Sequence, residues 1–154
     1  MKQEALVRFL LVEDDDDHAL LAERAIRKAR IVNVIDRVRD GEEAIAYLKQ
    51  EGEFEDAILP TVVLLDLKLP KKSGIEVLQE IRDDPKLAPL PVVVLTTSGN
   101  ENDIAAAYKL NVNSYLRKPV DFEQFHRMVG ELCLYWGVWN RAPDIQRDST
   151  AESE

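Results

Sequence analysis

The chain has 154 residues, room for one domain with a real core and too few for two ordinary ones. It is 45% hydrophobic and 32% charged, the balance of a soluble globular protein, and no apolar run approaches the roughly 20 residues that span a bilayer. The net charge of −9 argues against nonspecific nucleic-acid binding, which needs a basic face.

The N-terminus has no apolar signal region and soon turns acidic, so no secretion is expected. A single cysteine, Cys133, excludes an internal disulfide and suits a reducing cytoplasm.

In chain order, Arg8 to Val12 reads as a buried first strand that runs into Glu13, Asp14, Asp15, Asp16 and Asp17. Ala19, Leu20, Leu21, Ala22, Ala25, Ile26 and Ala29 follow at helical spacing and predict a first helix to about Arg30, with Asp16 as N-cap and Asp17 on the positive end of the dipole. Val32 to Val38 alternates enough for a second strand. Asp40-Gly41 signals a turn, and Glu42 to Gln50 carries Ala44, Ile45 and Leu48 on one face of a second helix. Gly52 to Pro60 is a polar loop.

Thr61 to Asp66 is the third strand. Its four-residue apolar run, Val62-Val63-Leu64-Leu65, fits a strand buried on both faces, with Asp66 at its carboxyl end. Ile75, Leu78 and Ile81 lie in a third helix, ended by Asp84-Pro85. Pro85 to Pro91 is a loop, and Pro91 to Thr96 is a fourth, continuously apolar strand. Ser98 to Glu101 opens a fourth helix with Ile104, Ala105, Tyr108 and Leu110. Asn113 to Arg117 is a short fifth strand, broken by Lys118-Pro119. Asp121 caps a long fifth helix whose core stripe is Phe122, Phe125, Val129, Leu132 and Trp136. One folded domain is expected over 1–140, followed by a polar, frayed tail over 141–154.

Five strands alternating with five helices predict an α/β, flavodoxin-like (βα)5 fold, a doubly wound parallel sheet in the order 2-1-3-4-5. In that order the first and third strands are neighbours at the switch point, and Glu13, Asp14 and Asp66 converge at one edge. Like charges so close repel one another, and a hard divalent cation such as Mg²⁺ relieves them. Thr96 ends the fourth strand with a hydroxyl, and Lys118 brings an ammonium. An acidic metal site, a carboxylate nucleophile, a hydroxyl and a cation can together form and stabilise an aspartyl phosphate.

These residues resemble the receiver domain of a two-component response regulator over about residues 7 to 137. The resemblance implies an acidic pair at Glu13 and Asp14, a phosphoacceptor at Asp66, a switch pair at Thr96 and Tyr115, and a lysine at Lys118. It implies Mg²⁺ held by Asp14, Asp66 and the main-chain carbonyl of Lys68, with Glu13 in support. Glu13 stands where Asp is more usual in the family. A sensor histidine kinase is the implied partner. The segment Leu65 to Gly74 and the Trp-containing fifth helix resemble response regulators that partner bacterial and cyanobacterial phytochromes.

Other polar and apolar residues have plainer expectations. Asp15, Asp16 and Asp17 read as capping and solvated charge. His18 and His126 have no companion at metal-ligand spacing and read as surface or packing residues. Cys133 reads as a small buried apolar residue, and Lys71-Lys72 as a solvated loop. Leu134, Tyr135, Val138 and Trp139 fall off the core stripe of the fifth helix, which predicts either a homodimer through the face of helix four, strand five and helix five or a covering tail. About 12 polar residues remain beyond that helix, far short of the ~60 or more of even a small domain, so a single-domain receiver is expected.

Three rivals remain. An aspartate-nucleophile phosphatase wants a second Asp two residues after Asp66, where this chain has Lys68. A flavin-binding module wants a Ser/Thr/Gly-rich loop after the first strand, where this chain has acids. A degenerate receiver serving only as a protein-binding module conflicts with the full acidic and lysine set.

Overall fold

Four consecutive apolar residues cannot alternate between core and solvent, so a strand made of them needs cover on both faces. The computed structural model, which describes residues 7–29, 33–140, 143 and 145, places that strand at the centre of a five-stranded sheet. β3 (Val62–Leu65) is buried at every position, as is β4 (Val92–Thr96) beside it. β1 (Val7–Val12) flanks β3 on the other side. β2 (Asn33–Val38) and β5 (Ser114–Arg117) close the edges and are only partly buried. All pairings are parallel, in the order β2-β1-β3-β4-β5.

The helices divide between the two faces. α1 (Asp16–Lys28) and α5 (Phe122–Leu134) cover one. Ala22, Ile26, Phe125 and Val129 pack there against Phe9, Leu11, Leu64 and Val93. α2 (Gly41–Leu48), α3 (Gly74–Asp83) and α4 (Glu101–Lys109) cover the other. Ala44, Leu48, Leu78, Ile81 and Ala107 pack there against Leu10, Val12, Val63 and Val94. Side chains of each central strand thus enter the two cores alternately, as the period of two requires.

Register carries the strand ends to a common edge. Val12 lies opposite Leu65, Leu65 opposite Val94, and Thr96 opposite Arg117. Glu13, Asp66 and Lys118 are therefore the first residues beyond three strands, and Asp66 and Lys118 lie within one residue of Thr96 in register.

Several local expectations need correction. Asp15, not Asp16, caps α1: its carboxylate accepts from the N–H groups of Asp17 and His18. Each acid in this run is a good cap by type, so composition alone does not choose among them. The Asp40-Gly41 turn is also an N-cap, with Asp40 accepting from the Glu43 N–H. Leu110 is the C-cap of α4 rather than a member of it. Phe122, the first residue of α5, does not join the core and is 55% exposed. Beyond Leu134 the chain widens into a π-helical turn, Tyr135–Trp139, with the Asn140 N–H donating to the Tyr135 carbonyl. Arg30 and Val32, and all of the expected tail except Pro143 and Ile145, lie outside the described residues. Ile145 packs half-buried against the α2–α4 core. Among the described residues no helix is long and apolar enough to cross a membrane.

Candidate functional site

A strand end in a parallel sheet delivers its next residue to the edge with its backbone still anchored. The Glu13 N–H donates to the Val38 carbonyl, the Asp66 N–H to the Val12 carbonyl and the Lys118 N–H to the Thr96 carbonyl. These bonds fix three charged residues from three strands. Glu13, Asp66 and Lys118 are buried, and Asp14 is exposed.

The side chains close into one network. Asp66 Oδ1 accepts from the Thr96 hydroxyl at 2.7 Å and from the Lys68 N–H at 3.2 Å. Asp66 Oδ2 accepts from Lys118 Nζ at 3.2 Å. Lys118 Nζ also donates to Glu13 Oε1 at 2.5 Å, and Glu13 Oε2 accepts from the Asp15 N–H at 3.1 Å. Burial of Glu13 pushes its carboxyl up to about 7, against the pull of the Lys118 ammonium. The loop after Asp66 closes tightly: the Gly74 N–H donates to the Leu67 carbonyl, and a Cβ on Gly74 would lie 2.4 Å from the Asp66 carbonyl oxygen.

Glu13, Asp14 and Asp66 each offer one carboxylate oxygen, and these oxygens lie within 4.8 Å of one another. A hard cation bound to oxygen at about 2.1 Å holds its ligands up to roughly 4.2 Å apart, so a small closure seats one. The donor set, all oxygen, suits Mg²⁺ or Mn²⁺ and offers nothing to a soft metal.

Of the sequence-predicted residues, the fold brings Glu13, Asp14, Asp66, Lys68, Thr96 and Lys118 together. Tyr115 stands one step away. Its hydroxyl donates to the Ser98 carbonyl at 2.8 Å, and the Ser98 N–H approaches Thr96 Oγ1 at 3.4 Å. A continuous hydrogen-bonded path thus runs from Asp66 through Thr96 and Ser98 to Tyr115. Leu134, Tyr135, Val138 and Trp139 take no part in this path and are 46%, 51%, 56% and 78% exposed. Lys71 stays exposed, within 3.6 Å of the Asp40 carboxylate, and Lys72 pairs with Glu80.

Two participants were missed from sequence. His18 Nδ1 lies 2.9 Å from Lys118 Nζ, which places the imidazole in the site rather than in surface packing. Arg37, on β2, donates through Nε and Nη2 to the Glu13 carbonyl at 2.9 and 2.8 Å and pairs with Asp16 at 3.0 Å. It tethers the acidic loop and offsets its charge. No local pattern signals either contact.

Beside the site lies a cavity of about 700 Å³, bordered by His18, Leu21, Arg117, Lys118 and Phe122. It meets the acidic edge through Lys118 and His18, so Lys118 stands between the carboxylates and the cavity.

The chain matches the response regulator receiver domain model over residues 9–130. It is 47% identical over 135 residues to the probable methanogenesis regulatory protein FilR2 of Methanothrix harundinacea, covering 87% of this chain and 86% of that one. It is 44% identical over 127 residues to the response regulator Rcp1 of Synechocystis sp., covering 82% and 86%. The crystal structure of Mn²⁺-bound Rcp1 superposes with a TM-score of 0.86 over 90% of this chain and 99% of that one. The phosphorylated cyanobacterial phytochrome response regulator RcpA superposes with a TM-score of 0.88 at 43% identity, over 91% of this chain and all of that one. The strand order, the carboxylate cluster and these similarities agree, and the chain belongs to the response regulator receiver family.

Proposed function

We propose that Asp66 accepts a phosphoryl group from a phosphohistidine of a sensor histidine kinase. The observation that carries this is the division of the Asp66 carboxylate: Oδ1 is held by Thr96 and Lys68, while Oδ2 faces the Lys118 ammonium. A carboxylate oxygen of Asp66 attacks phosphorus. The bond from phosphorus to the donor imidazole nitrogen breaks, and its electron pair leaves on that nitrogen. Lys118 and Thr96 donate to the phosphoryl oxygens as charge develops on them.

Asp14, Asp66 and the main-chain carbonyl of Lys68 would hold Mg²⁺, with Glu13 in support. The bound ion supplies charge neutralisation at the phosphoryl oxygens. The protein serves as a phosphoacceptor, catalysing at most its own phosphotransfer and autodephosphorylation.

Phosphorylation draws the Thr96 hydroxyl onto the new phosphoryl oxygens. Ser98 and Tyr115 follow along the hydrogen-bonded path, Tyr115 turns inward, and the α4–β5–α5 face changes its affinity for a partner. That partner includes a second copy of this chain, docked through Leu134, Tyr135, Val138 and Trp139. The similarity to the cyanobacterial phytochrome response regulator RcpA supports a phytochrome as the sensor kinase. The protein works in the cytoplasm, binding neither nucleic acid nor membrane. The chain acts as a receiver over 1–140, with 141–154 as a polar tail.

Incubation with a small phosphodonor and Mg²⁺ should give acid-stable, base-labile labelling, and Asp66→Asn should abolish it. Undiminished labelling of that variant would sink the assignment. Phosphotransfer profiling against the host's histidine kinases identifies the donor.

A further inference from the structure

We propose that His18 is a positioning residue that holds the Lys118 ammonium on Asp66. The proposal rests on the phosphoacceptor reading of Asp66. An ammonium has three hydrogens, donates all of them and accepts nothing. The Lys118 side chain is 4% exposed, so water does little to satisfy it. Its three partners are Glu13 Oε1 at 2.5 Å, His18 Nδ1 at 2.9 Å and Asp66 Oδ2 at 3.2 Å.

Because the lysine only donates, His18 Nδ1 accepts, and the ring carries its hydrogen on Nε2. The imidazole is thereby fixed in one tautomer by a residue 100 positions away. Its backbone is fixed as well: the His18 N–H donates to the capping Asp15 carboxylate at 3.1 Å.

The Asp66 contact is the longest of the three, and the Glu13 contact the shortest. With the imidazole gone, one hydrogen of a nearly buried ammonium loses its acceptor. Glu13 Oε2 and Asp15 Oδ2 each lie 4.0 Å from the same ring nitrogen and are the carboxylate oxygens left on that side. The ammonium then turns toward them and away from Asp66. The acceptor on His18 thus keeps Lys118 bridging the two acids, aimed at the oxygen about to gain the phosphoryl group. The side chain of His18 is 37% exposed beside the cavity, so replacing it opens no hole in the core.

The test uses acetyl phosphate as donor. Asp66 oxygen bonds to phosphorus, the bridging P–O bond breaks, and its electron pair leaves on acetate. The rate and the donor concentration for half-maximal rate are measured at saturating Mg²⁺ for wild type, His18→Leu and His18→Asn. Asn carries a side-chain oxygen near the place of Nδ1, and Leu fills similar space without an acceptor. The maximal rate should fall about tenfold in His18→Leu, the scale expected for a misplaced catalytic group, and recover within about threefold of wild type in His18→Asn. Mg²⁺ affinity should stay unchanged in both. A wild-type rate in His18→Leu, or equal loss in both variants, overturns the proposal. Should His18→Leu not fold, the ¹⁵N spectrum of wild type decides: the His18 Nδ1 resonance must shift in Lys118→Met, and an unmoved resonance overturns the proposal. If wild type takes no label, the phosphoacceptor reading itself fails, which is a different result from labelling insensitive to His18.

Discussion

Thr96 and Asp66 share a buried hydrogen bond of 2.7 Å across neighbouring strands. The hydroxyl is a donor to a charged acceptor, a bond worth about 1.5–3 kcal/mol. Thr96→Val keeps the shape and removes the donor. The unfolding free energy from urea titration should fall by that scale, and labelling at Asp66 should persist because Lys118 remains. What should be lost is the response of the α4–β5–α5 face to beryllofluoride, read as a chemical-shift change at Tyr115. A full response in Thr96→Val would remove Thr96 from the path.

Glu13 gives a pH dependence with a definite sign. Burial raises its carboxyl from 4.5 to about 7 in the folded state. The folded protein therefore holds this proton more tightly than the unfolded chain does. The resulting stability is fully present below 4.5 and is lost as pH rises through about 7. In EDTA, the urea midpoint should be lower at pH 8 than at pH 5 by an amount that Glu13→Gln removes. Mg²⁺ affinity should run the other way, rising through the same window as the proton leaves the acidic pocket.

Much of this site could be read from the sequence because each part sits at the end of a strongly patterned strand. The apolar runs before Asp66 and Thr96 are short, carry β-branched valines and are bounded by turn residues, which favours buried strands, and the strand ends then fix which acids meet. His18 and Arg37 escaped because their partners lie at the far ends of other elements, and only the assembled sheet brings them near. Phe122 was misplaced for another reason. Helical period tells which way a side chain faces around the axis, not whether anything packs against it at the first residue of the helix. The run of aspartates hid the cap for lack of contrast: Asp15 accepts from the helix N–H groups while Asp16 pairs with Arg37 and Arg39, and the two are the same residue.

Gly74 should tolerate nothing larger. Its Cβ position lies 2.4 Å from the Asp66 carbonyl oxygen and 2.5 Å from Leu67 Cα, and neither backbone atom can give way cheaply. Gly74→Ala should cost about 1–3 kcal/mol by overpacking and should weaken Mg²⁺ binding by displacing the loop that carries Lys68. Isothermal titration and urea unfolding check both. Unchanged Mg²⁺ affinity would show that this loop is not part of the metal site.

Cys133 should be inert in the native protein. It is fully buried, and desolvation pushes its thiol up to about 12. At pH 8 a disulfide reagent should label it only in denaturant. Rapid labelling without denaturant would mean that α5 opens from the sheet.

The apolar surface beyond α5 has its own readout. Tyr135→Ala with Trp139→Ala should lower the sedimenting mass toward that of one chain and leave the unfolding free energy within about 0.5 kcal/mol, since both side chains are exposed. No change in mass would favour a covering tail.

The position of Lys118 has a consequence for how the protein is made. Four strand ends must be in register before the ammonium, the hydroxyl and the acids share one pocket, and the lysine is the last of them to be synthesised. A nascent or misassembled chain can contain Asp66 yet offer it no cation and no hydroxyl. If Asp66 is the phosphoacceptor proposed above, phosphorylation would be restricted to molecules whose sheet is complete, and competence to receive the signal would double as proof of correct folding.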